Sequence, residues 1–217
     1  AVAWERHILP SRVAAYKGAW LDELCLTGDV TWARLASRKG ANGENGSRPT
    51  GANSATPISF ARRVDLPWLL ACIRNGTPPE PATSGAGADI LELLEAKGAL
   101  FTDDIISGSR RLPTDVERGL WELVARGLVT ADGFQALRSL MASTKKRSFR
   151  RPQRARLFRT LAISGTPSGR WSLLPATVAD GDSGGTADAH DLAEFWAEQL
   201  LFRYGVVFRD LIQRESF

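Results

Sequence analysis

The same short signature occurs twice in this chain, and nothing else in the sequence constrains its fold as much. ELCLTGDVT from Glu23 parallels ELVARGLVT from Glu122: each is an apolar helical ending, then a glycine, then Val-Thr. Glycine reaches left-handed backbone without strain and β-branched residues favour extended chain, so each copy reads as a helix running directly into a short strand. A second pattern also repeats. GALFTDDII from Gly98 parallels GVVFRDLI from Gly205, setting Phe101 against Phe208, Asp103 against Asp210 and Ile105 against Ile212. Reuse of supersecondary patterns is the mark of a chain built from repeated units.

Between Gly87 and Arg170 the periodicity predicts the elements of one whole unit. Ile90, Leu91, Leu93 and Leu94 recur at helical spacing until Gly98, giving a first helix. Thr102, followed by Asp103 and Asp104, is placed as the N-cap of a second, shorter helix ending at Gly108. Pro113 and Thr114 precede Glu117 in a capping-box arrangement, and Val116, Leu120, Leu123 and Val124 then line one face of a third helix up to Gly127. Two short strands, Leu128–Thr130 and Arg170–Leu174, are left to pair. Three helices and a terminal hairpin define the winged-helix variant of helix-turn-helix. By the repeat, Trp20–Thr27 is the third helix of a preceding unit, Asp29–Leu35 its first wing strand and Ile58–Val64 the partner strand.

Three stretches punctuate this pattern: Arg38–Pro57, rich in Gly, Asn and Ser; Thr77–Gly87, with three prolines; and Ala179–Ala187, with three glycines. All read as loops or linkers. The expected fold class is mainly α with short β-hairpins, an α+β chain of tandem winged-helix units, one complete and two partial. Residues 1–76 are expected to hold the C-terminal part of one unit plus a connecting helix. Residues 88–176 are the complete unit, with a basic insertion at 142–168, and 188–217 are the opening helices of another. The chain is thereby expected to begin and end inside repeated units.

Charge is concentrated. From Gly133 to Ala179 there are ten Lys or Arg and no acid; taking those ten from the chain's 28 cations leaves 18 against 24 acids elsewhere. Eight of the ten are Lys145, Lys146, Arg147, Arg150, Arg151, Arg154, Arg156 and Arg159. Lys and Arg neutralise phosphates and release condensed counterions, so this run is the expected nucleic-acid contact, with a solvated loop as the plain alternative. Phe149 and Phe158 among them either stack on bases or anchor the segment to the core. On the third helix, Thr114, Asp115, Arg118, Gly119 and Arg126 avoid the apolar face, and Arg110 and Arg111 occupy the preceding turn. Arg110, Arg111, Thr114 and Arg118 are candidate groove or backbone contacts, although Glu117 and Glu122 beside them oppose phosphate. The same helix is equally suited to packing against a neighbouring domain.

Other motifs lead nowhere. GDSGG from Gly181 matches the nucleophile loop of trypsin-like proteases, but a triad needs a base, only His7 and His190 exist, and the surroundings are not an all-β barrel. Asp180, Asp182, Gly185 and Asp191 fall at EF-hand spacing without the fifth-position ligand or the bidentate Glu, and His190 reads as an exposed helix-start residue. No G-x-x-x-x-G-K-[ST] phosphate loop is present, and Gly40, Gly43 and Gly46 lack its strand–helix context. Cys25 and Cys72 have neither disulfide nor zinc spacing, which fits a reducing compartment. No run of eighteen apolar residues exists to span a membrane. The seven tryptophans fall mostly on apolar faces and are expected in cores.

Several stretches resemble the C-terminal half of the Lhr (large helicase-related) family, superfamily 2 ATP-dependent DNA helicases of bacteria. They are WERHILPSRVAAY from Trp4, AWLDELCLTGDVTW from Ala19, DLPWLLA from Asp65, LPTDVERGLWELVARGLVTADGFQALRSL from Leu112, GRWSLLP from Gly169 and WAEQLLFRYGVVFRDLIQRES from Trp196. The resemblance implies a translocase acting on DNA strands and RNA–DNA hybrids in repair, with its ATP- and Mg-dependent motor outside this chain. It also implies a cytoplasmic setting and partners among single-stranded DNA or RNA–DNA hybrid and the other helicase domains. No cofactor and no catalytic residue is expected here. The family's likeness to winged-helix glycosylases places no catalytic group on any residue of this sequence. The competing expectation is a scaffold of packed winged helices, including a homo-oligomer, with little affinity for DNA.

Overall fold

A computed structural model describes residues 3–35, 56–74, 79–82, 84–148, 169–175 and 189–214. A π-helical turn, Trp4–Ile8, runs into α1, Leu9–Arg12; α2 follows at Gly18–Leu26, then β1, Val30–Ala33. β2, Ser59–Arg62, pairs antiparallel with β1, placing Trp32 opposite Phe60. A 3-10 turn, Arg63–Asp65, leads into α3, Leu66–Arg74. Then come α4, Gly85–Lys97, α5, Thr102–Ser109, α6, Pro113–Arg126, and β3, Val129–Ala131. α7, Phe134–Ser148, stands between β3 and its antiparallel partner β4, Trp171–Leu173, and α8, Ala189–Tyr204, and α9, Arg209–Arg214, complete the order. Leu100 exchanges two backbone hydrogen bonds with Trp171, adding a bridge to the β3–β4 hairpin.

The two copies of the signature have the same local fold. Gly28 and Gly127 end α2 and α6 at φ 87° and 72°, and a short strand follows each. At α6 the ending is complete: Gly127 N–H donates to Val124 O and Leu128 N–H to Leu123 O, satisfying two carbonyls the helix leaves open. Cys25 and Val124, and then Thr31 and Thr130, are equivalent and all buried.

Helix starts differ from the sequence expectation. Leu112, extended at ψ 144°, holds the N-cap place of α6, and its carbonyl accepts from Asp115 and Val116. Pro113 fixes the first helical φ and forces Leu112 extended, which leaves Thr114 inside the first turn instead of capping it. Phe101 likewise precedes α5, its N–H donating to Asp104 at 3.3 Å, while Thr102 lies inside the helix and accepts from the Trp171 indole at 3.1 Å. The linker expected up to Gly87 ends sooner, because α4 has begun by Gly85.

One apolar core crosses the proline-rich stretch between α3 and α4. Leu21, Cys25, Trp32 and Ile58 belong to the same buried cluster as Ile90, Leu120, Phe134 and Trp171. An aromatic chain runs through it: Trp4 meets Phe60 at 4.9 Å, Phe60 meets Phe134 at 5.2 Å, and Trp32 contacts Phe134 at 6.4 Å and Trp171 at 5.9 Å. Edge-to-face rings at such spacings attract beyond their area burial. α4 and α6 meet where Gly119 faces Ile90, so close that a Cβ on Gly119 would stand 2.8 Å from Ile90 Cδ1. α8 rests on α3, with Trp68 stacked on Phe195 at 5.7 Å. Trp32, Trp121 and Trp171 are buried as expected of core tryptophans, whereas Trp20 is 41% exposed.

Candidate nucleic-acid interface

The basic stretch does not begin as a wing loop. Instead of an insertion starting near 142, the chain turns straight from β3 into α7, whose Phe134, Ala136, Leu137 and Leu140 are buried. Those positions recur at helical spacing and fill the gap between two other helices. On one side α7 runs back along α2, from Gly133 beside Leu26 to Arg138 beside Gly18 and Asp22. On the other, the Trp121 indole of α6 donates to Leu140 O at 3.3 Å. α7 therefore contacts the third helices of both units.

Arg138 fixes this arrangement. Its guanidinium donates to both carboxylate oxygens of Glu5 at 2.8 and 2.7 Å, to Asp22 at 2.6 Å, to Gln135 at 2.9 Å and to the carbonyl of Gly18 at 3.1 Å, and it lies 5.1 Å from the Phe134 ring. Burial alone would lower its pKa, but the hydrogen bonds it donates to Glu5 and Asp22 outweigh burial and raise it, so this cation is permanent. Tyr16 donates to the same Glu5 at 3.0 Å; burial first, and that bond second, push its phenol up to about 12. Sequence reasoning counted Arg138 only as one of ten cations. Its place within the apolar spacing of Leu137, Leu140 and Met141, apart from the cluster at Lys145, was the available signal.

Lys145, Lys146 and Arg147 occupy the last turns of α7, roughly 10 Å along the axis past Leu140 at 1.5 Å per residue. Arg150, Arg151, Arg154, Arg156 and Arg159 lie outside the described residues, as do Phe149, Phe158 and the GDSGG stretch. Arg170 is already engaged, donating to Asp132 at 3.1 Å.

The candidates around α6 separate into surface and packing residues. Arg110 is exposed in left-handed conformation at φ 53°. Arg111 and Arg118 are exposed and paired with Asp89 at 2.6 Å and Asp115 at 2.5 Å. Exposed pairs contribute about 0–1 kcal/mol, so neither is held firmly against a competing phosphate. Thr114 is half-buried. Gly119 is buried against α4, and half-buried Arg126 is tied to Glu122 at 3.0 Å and to the carbonyls of Glu80 and Pro81 at 3.3 Å each, so both serve packing within the unit. Arg74 of α3, which sequence reasoning also missed, is buried and donates to Gly127 O at 2.6 Å and Leu35 O at 3.4 Å; burial lowers its pKa. Among the described residues no cluster of His, Cys, Asp or Glu is placed to hold a metal, and no helix is long and apolar enough to cross a membrane.

Residues 1–49 match the family model described as the winged-helix domain of the large helicase-related protein. The whole chain is 30% identical over 238 residues to a Mycolicibacterium smegmatis protein named Lhr helicase/probable uracil glycosylase, and 28% identical over 240 residues to an Escherichia coli protein named Lhr helicase/uracil glycosylase. It spans 14% of the length of each of these relatives. The chain belongs to the large helicase-related family, as a stretch of its C-terminal winged-helix region.

Proposed function

We propose that this region binds nucleic acid for an Lhr-type helicase, with α7 as the mount for a basic arm that contacts phosphates. The observation that carries the reading is the division of labour along α7: its first half is packed through Leu137 and Leu140 and clamped through Arg138, and Lys145, Lys146 and Arg147 follow in its last turns. A cationic segment on a fixed base keeps its charge directed at one surface, which lowers the ordering cost of binding a polyanion. Arg110, Arg111 and Arg118 form a second, weaker patch. The ligand class is DNA, single-stranded or in RNA–DNA hybrid, as the family resemblance implies. ATP and Mg chemistry, repair activity, any glycosylase step and the cytoplasmic setting belong in this reading to the longer protein, and this region contributes no catalytic residue.

The test is a salt titration of binding to single-stranded and hybrid oligonucleotides. Replacing Lys145, Lys146, Arg147, Arg150 and Arg151 with Ser should weaken binding and flatten the dependence of log K on log salt by several units, because each lost phosphate contact removes close to one. Equal affinity and slope in the two proteins would end the reading.

A second reading has its own support. Gly119, Trp121 and Arg126 all face inward and the core runs through both hairpins, so the third helices serve packing between units. On that reading the region is an inter-domain scaffold. A stable oligomer in light scattering with no oligonucleotide binding would favour it.

A further inference from the structure

A winged helix that reads sequence puts its third helix into the major groove, with the residues opposite its core turned to the bases. In α6 the core face is Val116, Leu120, Leu123 and Val124, so at 3.6 residues per turn the opposite face is Thr114, Arg118, Trp121, Glu122 and Ala125. That face is already in use. Trp121 is 4% exposed and lies against α7, its indole bonded to Leu140 O at 3.3 Å. On the other flank Glu122 is paired with Arg126, which also donates to the carbonyls of Glu80 and Pro81 at 3.3 Å each, so the chain ahead of α4 runs along that side. From Thr114 to Arg126, Arg118 alone is exposed. α2 is engaged at the same repeat position. Asp22 and Trp121 each stand one residue before the matched glutamates, Glu23 and Glu122, and Asp22 accepts from Arg138 of α7 at 2.6 Å. Gly18 and Leu26, one turn to either side of Asp22, meet Arg138 and Gly133. Beside this row α2 turns outward Ala19, which has no hydrogen-bonding side chain, and Glu23, an acid.

A helix with its side chains is about 10–12 Å across and the major groove is about 12 Å wide, so a helix enters only with both flanks clear. We propose that α7 stands on both third helices where a major groove would, so that this region holds nucleic acid by its phosphates alone and is blind to base sequence. This rests on the phosphate-binding reading above and narrows it. Contact is confined to the basic end of α7 and to Arg110, Arg111 and Arg118, exposed side chains that reach a phosphate without any helix entering a groove. The ligand is a single strand or the outer backbone of a duplex, and affinity follows salt and charge density instead of base order.

The test equilibrates the intact chain with a labelled duplex library of randomised centre, recovers and amplifies the bound fraction, and titrates it beside the starting library at one salt concentration. The two pools should bind within about twofold of each other, since a single well-made base contact would separate them by roughly tenfold. Ethylation of the duplex phosphates should interfere with binding, and methylation of guanine N7, which lies in the major groove, should not. Arg118→Ala, at an exposed position outside the core, should lower affinity for every sequence by the same factor. A recovered pool bound more than about tenfold tighter than the start, interference by N7 methylation, or a sequence preference that Arg118→Ala removes would overturn the proposal and leave the phosphate-binding reading standing. Failure to bind duplex and single strand alike would remove that reading, and this one with it.

Discussion

Thr130 donates its hydroxyl to the carbonyl of Trp32 at 2.5 Å, a bond between the two hairpins buried at both ends. Around it, the Trp32 indole reaches Gly133 O at 3.4 Å and packs edge-on against Trp171. The first unit's strand is thus joined to the second unit's turn and wing at one place. That junction holds the two third helices in a fixed relation, on which α7 then lies. Valine at 130 matches threonine in shape and cannot donate, so Thr130→Val should lower stability by about 1–3 kcal/mol, the cost of leaving a buried carbonyl short of a partner. Urea unfolding would show a single transition at lower midpoint; an unchanged midpoint would mean the hairpins are held by the rings alone.

Gly119 offers a test of the close approach of α4 and α6. A methyl there would stand 2.8 Å from Ile90 Cδ1, 2.9 Å from the Ala86 carbonyl carbon and 3.0 Å from Gly87 N. The Ile90 methyl can move aside, but the Ala86 and Gly87 backbone cannot without shifting α4. Alanine favours helix by about 1 kcal/mol over glycine, yet overpacking costs about 1–3 kcal/mol, so Gly119→Ala should be net destabilising. Ile90→Val in the same protein should recover only part of the loss. Full recovery would show that the side chain, not the backbone, sets the distance.

How much of this was legible in the sequence depends on the range of the cause. Gly28 and Gly127 announced themselves because an apolar helix followed by Gly and Val-Thr has one local solution. The buried face of α6, Val116, Leu120, Leu123 and Val124, followed from 3.6-residue periodicity in the same way. Thr102 and Thr114 were misread because capping preference is a weak local rule, and Pro113 and the pull of Trp171 on the Thr102 hydroxyl overrode it. α7 was half legible: its apolar spacing was present, but the density of charge from Lys145 onward masked it. The clamp was not legible at all, since Glu5 lies 133 positions from Arg138 and no local pattern joins them.

Arg138 itself separates mounting from charge. Arg138→Gln leaves the cations at Lys145, Lys146 and Arg147 in place while removing the ties to Glu5 and Asp22. The oligonucleotide affinity should fall several-fold with the slope of log K against log salt nearly kept, because the phosphate contacts remain and only their placement is loosened. Arg138→Lys cannot reproduce the paired bonds to Glu5 and should recover little. A variant that loses slope in step with affinity would make Arg138 an ordinary phosphate contact.

Alkaline pH probes the same region through two protons, one on buried Cys25 and one on half-buried Tyr16. Cys25 is pushed up to about 11, first by burial and then by Asp22, and Tyr16 up to about 12 by burial and its bond to Glu5. In both, the folded state holds the proton more tightly than the unfolded chain, whose values lie near 9.0 and 10.0. Their contribution to stability is complete below pH 9 and is lost as pH rises through 11 and 12. The repeat itself supplies the control: Val124 stands where Cys25 does, so Cys25→Val should keep the neutral-pH stability and flatten the decline between about pH 9 and 11. Tyr16→Phe should flatten the decline between about pH 10 and 12 at the cost of one hydrogen bond, about 1 kcal/mol at neutral pH. Urea midpoints measured from about pH 7 to 11.5 would show Cys25→Val starting with the parent and ending above it, and Tyr16→Phe starting below the parent and closing the gap as pH rises; curves that stay parallel would mean neither proton is held by the fold.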